Sequence, residues 1–311
     1  MQSATKVVAI TWNVGAHDIS LESARALIER ASEDMADVYL VGLQEVVPLN
    51  AKNVLAIGGS SEKQAQRAAA VMQTALTALH REEYVLVDAP VTMVGICLFV
   101  LVRPTMQPSL PMREVAACGF AKLGNKGAVA VRVQLRAAWL CVVAVHLPAG
   151  ESAAAAASRD DAFAEVVRAL GAKMVKRGAM PPLEHDLCVV MGDFNSRVEL
   201  PRTVVDKVLA QGPSARLGEL LKHDQLLRDE NGLAPFSEAC ITFPPTYKFD
   251  PGTSTYDTSA KQRVPSWTDR VLWTGGGVSC ARYTSCPEIM TSDHKPVIAA
   301  LSWLHGWVDT N

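Results

Sequence analysis

The chain lacks a basic balance. Lys and Arg number 30 against 32 Asp and Glu in 311 residues, a formal net charge of -2. A protein that tracks a nucleic-acid backbone wants an extended cationic face. Nucleic acid is therefore not expected as a partner, although a small phosphorylated ligand needs only a few local cations. No cysteine spacing matches a zinc site among Cys97, Cys118, Cys141, Cys188, Cys240, Cys280 and Cys286. Cys97, Cys141 and Cys188 sit inside apolar runs and read as buried thiols, and the odd count suits a reducing compartment. "MQSATKVVAITWNVG" has no basic region followed by a long apolar stretch, so no secretory leader is expected. The longest apolar run, "VTMVGICLFVLV" at 91–102, is too short to cross a bilayer. No lipidation box is visible. The expectation is a cytoplasmic protein that meets membranes peripherally. No repeat or low-complexity linker divides the chain.

What is present is apolar material, 49% of residues, enough for a large core. Run length and alternation predict strands at 6–14, 37–46, 84–91, 95–103, 127–135, 137–147, 185–195, 269–275 and 295–304. Helical spacing predicts helices at 20–33, 61–80, 152–175, 202–211 and, more loosely, 215–227. Strands outnumber helices, and hairpins mix with helical crossovers. An α/β arrangement of two packed sheets with helices outside accounts for this pattern.

Polar residues interrupt the strands at their ends. Asn13 ends the first strand and Glu45 the second; His146 ends another, in "VVAVHLPAG". Asp193 and Asn195 close "CVVMGDFNSR", and Asp293 and His294 precede the last strand in "TSDHKPV". Taken singly, Asn13 could cap a turn, Glu45 could pair with an arginine, and His146 could be a satisfied core histidine. Together they are harder to treat as independent, because a carboxylate beside a buried strand is costly unless paired or bound to metal. Oxygen donors without cysteine suit a hard divalent cation, and Mg2+ is the natural one for phosphate chemistry. The histidines suit proton management or charge stabilisation around a phosphoryl group. The set reads as metal-assisted phosphoester hydrolysis.

A further stretch, "TYKFDPGTSTYDTSAKQRVPSWTDRVLW" at 246–273, is too rich in Gly, Pro, Ser and Thr for a helix or buried strand. With "TWNVG", "LQEV", "GNKGAVAVR", "HLPAG", "GDFNSR" and "SDHKPV", it resembles the ordered motifs of the inositol polyphosphate 5-phosphatase catalytic domain. The resemblance covers about residues 5–304 and implies a single domain over 1–311. It implies a four-layered α/β/β/α sandwich of the DNase I-like type. The short motifs alone indicate only the wider superfamily of Mg2+-dependent phosphodiesterases; the long segment is specific.

The resemblance implies roles. Glu45 would be the principal Mg2+ ligand, with Asn13 beside it and Asp293 in the same shell. Asp193 would activate water and Asn195 would help hold it. His294 and His146 would contact the scissile phosphate, and Asp269 would orient His294. Asn125 and Lys126 would lie on the substrate side. Tyr247, Lys248, Lys261 and Arg263 would grip the neighbouring 4-phosphate of an inositol phosphate or phosphoinositide headgroup. Trp267 and Tyr256 read as packing that anchors the loop.

The motif departs from the family at Ser196, where an aromatic is usual, and at Gly150, where a second histidine is usual. A peripheral membrane contact would fall on Met106, Leu110 and Met112, read as a loop after a core strand. An endonuclease would share the catalytic set but want a basic face. A sphingomyelinase would not need Lys261 and Arg263. A catalytically dead binding domain would be expected to lose at least one of Glu45, Asp193, Asn195 or His294. Protein partners are not legible.

Overall fold

The computed structural model describes residues 4–31, 35–48, 59–118, 125–212, 217–227 and 234–304. Residues 32–33 and 215–216 of two expected helices lie outside them. Strands that are apolar on both faces need cover on both. Along β1 (Thr5–Asn13), Val7 and Ala9 enter one core cluster while Val8, Ile10 and Trp12 enter another. β2 (Val38–Gln44) behaves likewise and pairs with β1 in parallel. With β3 (Val85–Leu86), β4 (Val91–Met93), β5 (Ile96–Val102), β11 (Val278–Ser285) and β12 (Val297–Trp303) they form a seven-stranded sheet, ordered β11-β12-β1-β2-β5-β3 with β4 also on β5. β6 (Pro108–Ala117), β7 (Gly127–Leu135), β8 (Ala138–His146), β9 (Leu187–Asp193) and β10 (Asp269–Thr274) form a five-stranded sheet, ordered β10-β9-β8-β7-β6.

The inner faces of the two sheets share a core that includes Leu40, Val100, Val131, Val142 and Val189. Helices α1 (Leu21–Ala31) and α2 (Gly59–His80) cover the outer face of the larger sheet. Helix α3 (Ala153–Lys176) covers the outer face of the smaller one through Phe163, Val166, Leu170 and Met174. This is the expected α/β/β/α sandwich. α1 is capped by Ser20, whose Oγ accepts from Ser23 N at 3.0 Å, and α3 by Ser152, which accepts from Ala155 N at 3.1 Å. Short helices α4 (Arg202–Leu209) and α5 (Leu217–Leu221) follow β9. No helix of the described residues is long and apolar enough to cross a membrane.

Register places the polar strand ends together. Asn13 is level with Gln44, so Glu45 emerges just beyond it. In the other sheet Gly127, His146, Asp193 and Asp269 stand in one cross-strand row. Val297 pairs near Thr11, which brings the preceding His294 to the same end. Beneath Asp193, a Cβ on Gly192 would stand 2.1 Å from the Val145 carbonyl oxygen. Only glycine lets β8 and β9 close at that point.

Two strands were not expected. β6 carries Pro108 and Pro111 and forms a sheet edge, where proline is tolerated and the apolar signal is weak. β11 is polar on much of its surface, and a register shift between Cys280 and Arg282 breaks its alternation. The expected strand at 84–91 shrinks to β3 and the start of β4.

The expected loop carrying Met106, Leu110 and Met112 is instead a 3-10 turn followed by β6. Met106 closes that turn and is buried. Leu110 is 63% exposed, but it belongs to β6, where Ser109 pairs with Gln134 near the far end of β7. At about 3.3 Å per residue it lies roughly 20 Å from the end where Gly127 meets His146.

Arg270 ties the base of β10 to the fold. It is fully buried and bonds Asp224 Oδ1 at 2.8 Å through Nη1 and Glu238 Oε1 at 2.6 Å through Nε. Tyr283 OH adds a 2.7 Å bond to Glu238. Removing the cation strands two carboxylates in the interior. Arg270→Met should therefore cost about 3–5 kcal/mol in urea unfolding. An unchanged unfolding midpoint would show that these carboxylates do not depend on Arg270.

Candidate active site

Asp193 sits at the end of β9, 1% exposed, with a partner on each oxygen. Oδ1 accepts from Asn195 N at 2.9 Å, an Asx turn that holds the sharp exit from the strand. Oδ2 accepts from Asn13 Nδ2 at 3.1 Å and lies 3.3 Å from His146 Nε2 and 4.0 Å from His294 Nε2. Burial alone would raise the pKa of this carboxyl. The His146 hydrogen bond and the charges of His294 and Lys126 outweigh burial and hold it far below the usual carboxylate range. Asp193 is thus an ionised base in a nearly dry place.

Asn13 spans the two sheets. Its Nδ2 also donates to Glu45 Oε1 at 3.2 Å, while its Oδ1 accepts from Gly15 N at 3.1 Å. The amide therefore turns its N–H groups, not its oxygen, to the carboxylates. As placed, Asn13 orients Glu45 and Asp193. Glu45 has φ +53, uncommon for a residue with a side chain, and its carboxylate is one-third exposed. Ala16 N holds its carbonyl at 2.7 Å, fixing the turn.

The histidines have distinct environments. His146 Nδ1 is buried with no hydrogen-bond partner among the described residues, and Nε2 faces Asp193 at 3.3 Å. Burial and the nearby Lys126 both push its pKa down. Lys126 Nζ touches the same Nε2, which places Lys126, with Asn125 before it, at the mouth of the site. His294 Nδ1 bonds Asp269 Oδ2 at 2.9 Å. Thr246 and Thr268 each donate to that same oxygen at 2.8 Å, so the aspartate cannot turn away. Burial opposes charge on His294, but Asp269 and Asp193 prevail and push its pKa up to about 10.

Asn195 adopts φ +55, and both ends of its amide are occupied. Nδ2 donates to Leu147 O at 3.0 Å, and Oδ1 accepts from Arg197 at 2.6 Å. The Arg197 guanidinium also lies 4.5 Å over the Tyr247 ring, and that ring is 4.5 Å from the His294 ring. Arg197 thereby links the polar end of β9 to the long loop.

The loop folds back on itself. Asp257 N donates to Lys248 O at 2.9 Å, and Asp257 Oδ2 accepts from Arg263 N at 2.8 Å, so one residue ties both arms. Tyr256 stacks on Phe249 at 4.4 Å and bonds Pro245 O; Trp267 is buried and bonds Phe243 O. Both are anchors. Lys248 Nζ lies 3.2 Å from Asp293 Oδ2, and Arg263 Nη1 2.9 Å from Glu151 Oε1. Lys261 is exposed and makes no ion pair with a described residue, so the structure does not bring it in with the others.

The threonines on Asp269, Arg197 as a link and Glu151 were not anticipated. Only Arg197 had a sequence signal, its place two residues after Asn195. Among the described residues, Asp193, Asp269 and His294 approach closely enough to share a cation.

Comparison with known proteins decides the family. The model of the Endonuclease/Exonuclease/phosphatase family 2 matches residues 10–300. Type IV inositol polyphosphate 5-phosphatase 9 of Arabidopsis thaliana is 33% identical over 329 residues, covering 94% of this chain and 76% of that protein. The crystal structure of the inositol polyphosphate 5-phosphatase domain of SPsynaptojanin, in complex with inositol (1,4)-bisphosphate and calcium ion, superposes with a TM-score of 0.84 at 30% identity. It covers 97% of this chain and 85% of that one. This chain belongs to the inositol polyphosphate 5-phosphatase family. Synaptojanin-1 of Rattus norvegicus is 34% identical over 302 residues, 85% of this chain, but the match spans only 18% of that longer protein.

The turn at Gly150, where the resemblance implied a second histidine, is tightly packed. Gly150 has φ +142, and a Cβ there would stand 2.6 Å from Ala155 Cβ, so a histidine would not fit. Buried Arg159 instead donates to Gly150 O at 2.8 Å. Ser196 is buried, not part of an open rim.

The His294 shift carries a sign. Its folded pKa of about 10 exceeds the ordinary 6.5, so its contribution to stability is complete below about pH 6.5 and disappears as pH rises through about 10. In chelator, the His294 ring proton resonance should titrate well above neutrality, and Asp269→Asn should move its midpoint down. Equal midpoints in both proteins would contradict the pairing.

Proposed function

We propose that this chain is a Mg2+-dependent phosphoric monoester hydrolase. It removes the 5-phosphate from inositol phosphates that also carry a 4-phosphate, as in PtdIns(4,5)P2, PtdIns(3,4,5)P3 or soluble Ins(1,4,5)P3. The observation that carries this reading is one ionised buried carboxylate, Asp193, flanked by two histidines and abutting a loop that presents Tyr247, Lys248 and Arg263. The SPsynaptojanin domain holds a ligand that keeps a 4-phosphate and lacks a 5-phosphate, which supports the same reading.

The donors fit a hard divalent cation. The Glu45 carboxylate is one-third exposed, oriented by Asn13, with Asp293 across Gly15. We place the ion there, not among Asp193, Asp269 and His294. Nδ1 of His294 is committed to Asp269, and an imidazolium repels a cation. Mg2+ bound at Glu45 would supply Lewis-acid stabilisation of the phosphoryl oxygens.

The chain's own groups do the rest. Asp193 orients a water for in-line attack on phosphorus and takes its proton. His294, held by Asp269, donates a hydrogen bond to the scissile phosphate, and His146 and Lys126 offer further donors. Asn195, fixed by Arg197 and Leu147, shapes the water's seat. No covalent intermediate is required. Lys248 and Arg263 bind the 4-phosphate, with Lys261 joining from the loop's exposed tip.

Phosphate release from Ins(1,4,5)P3, PtdIns(4,5)P2, DNA and sphingomyelin, with and without Mg2+, tests the reading. Turnover should be confined to the inositol substrates in Mg2+. Glu45→Gln should lower it by orders of magnitude while the protein remains folded; full activity in chelator would defeat the metal role. Arg263→Ala removes a charge-assisted contact of about 1.5–3 kcal/mol. It should cost roughly tenfold to a hundredfold in kcat/KM on a 4,5-bisphosphate, and much less on a substrate with only the 5-phosphate. Equal losses on both would mean that the loop does not read the 4-phosphate.

A further inference from the structure

Arg263, the fork assigned above to the 4-phosphate, already holds an anion. Its Nη1 lies 2.9 Å from Glu151 Oε1, and the side chains are 35% and 40% exposed. Glu151 is not a loose surface residue. It stands between Gly150 and the α3 cap Ser152. The carbonyls of Pro148 and Gly150 are both held by Arg159, which is 3% exposed. Arg159 is in turn bonded to Gln225, whose Oε1 also accepts from Arg197 N. The same network that supports Asn195 therefore fixes the turn that carries Glu151. On the other side, Asp257 Oδ2 fixes the Arg263 backbone N at 2.8 Å. Carboxylate and guanidinium are presented to each other from two anchored segments.

We propose that Glu151 is a specificity-determining residue: an internal counter-ion that competes with the 4-phosphate for Arg263 and so sets how long substrate and product are held. The idea rests on Arg263 reading the 4-phosphate. Hydrolysis at the 5-position leaves the 4-phosphate on the product, so a grip that holds substrate equally holds product. A carboxylate ready to recapture Arg263 shortens both residence times. The pair is exposed, and exposed ion pairs are weak, so the competition is a modest one. It suits a counter-ion that must yield to a phosphate dianion and then return.

The test uses the full chain, with Glu151→Gln and Arg263→Ala assayed beside wild type in Mg2+. Readouts are KM and kcat on Ins(1,4,5)P3, the inhibition constant of inositol 1,4-bisphosphate, and both again on a substrate lacking the 4-phosphate. Glu151→Gln keeps the size and the turn but removes the charge. It should lower KM and the product inhibition constant together by about twofold to fivefold. The gain should be smaller at high salt and smaller still without the 4-phosphate. A merely structural role would instead raise KM or depress kcat on every substrate. If Arg263→Ala loses activity selectively on the 4-phosphorylated substrate while Glu151→Gln changes neither constant, the counter-ion role is overturned and the 4-phosphate reading stands. If Arg263→Ala loses activity equally on both substrates, the 4-phosphate reading falls and takes the counter-ion role with it. Thermal unfolding of each variant separates these outcomes from loss of fold.

Discussion

Asp193 is 1% exposed, and burial by itself pushes its pKa up. It stays ionised because a hydrogen bond from His146 and the charges of His294 and Lys126 surround it. The fold can be read from that requirement outward. Parallel pairing of β8 with β9 sets His146 beside Asp193, and antiparallel pairing of β9 with β10 sets Asp269 there too. His294 arrives from the other sheet, ahead of β12, and Asn13 from β1. Neither sheet alone completes the constellation. The core packed between the sheets is what holds the donors in place.

The long loop is coupled to that centre through aromatic and cationic contacts. The Tyr247 ring lies against the His294 ring and also receives the Arg197 guanidinium. Phe249 N bonds Asp293 O, and Lys295 N bonds Thr246 O, so loop and strand entry are laced together. Lys248 pairs with Asp293 and Arg263 with Glu151. Under the proposed function these cations would be held as ion pairs, and a ligand would exchange one anionic partner for another without leaving a bare charge.

Central strands were legible because both faces are buried and the sequence there runs apolar without a break, as in "VVAVHL" and "CVVMGD". Edge strands were not, since β6 and β11 face solvent and carry proline or polar residues. The polar strand ends pointed to the site, and the structure gathers Asn13, Glu45, His146, Asp193, Asp269 and His294 at one end. Their hydrogen-bond directions, such as the Asn13 amide donating to both Glu45 and Asp193, could not be read from residue type. Met106 and Leu110 misled for a related reason. Hydrophobicity marks residues that want cover, but only register tells which end of a sheet they occupy. Glu151 gave no signal, because its meaning depends on Arg263 more than a hundred residues away.

The central claim is that Asp193 and its histidines face the 5-phosphate while the loop holds the 4-phosphate. Its most direct test is the regiochemistry of the product. Ins(1,4,5)P3 is converted in Mg2+, and the products are assigned by phosphorus and proton NMR. The account predicts inositol 1,4-bisphosphate and inorganic phosphate in equal amounts. Inositol 1,5-bisphosphate as the main product would place the phosphates the other way round in the site and contradict it.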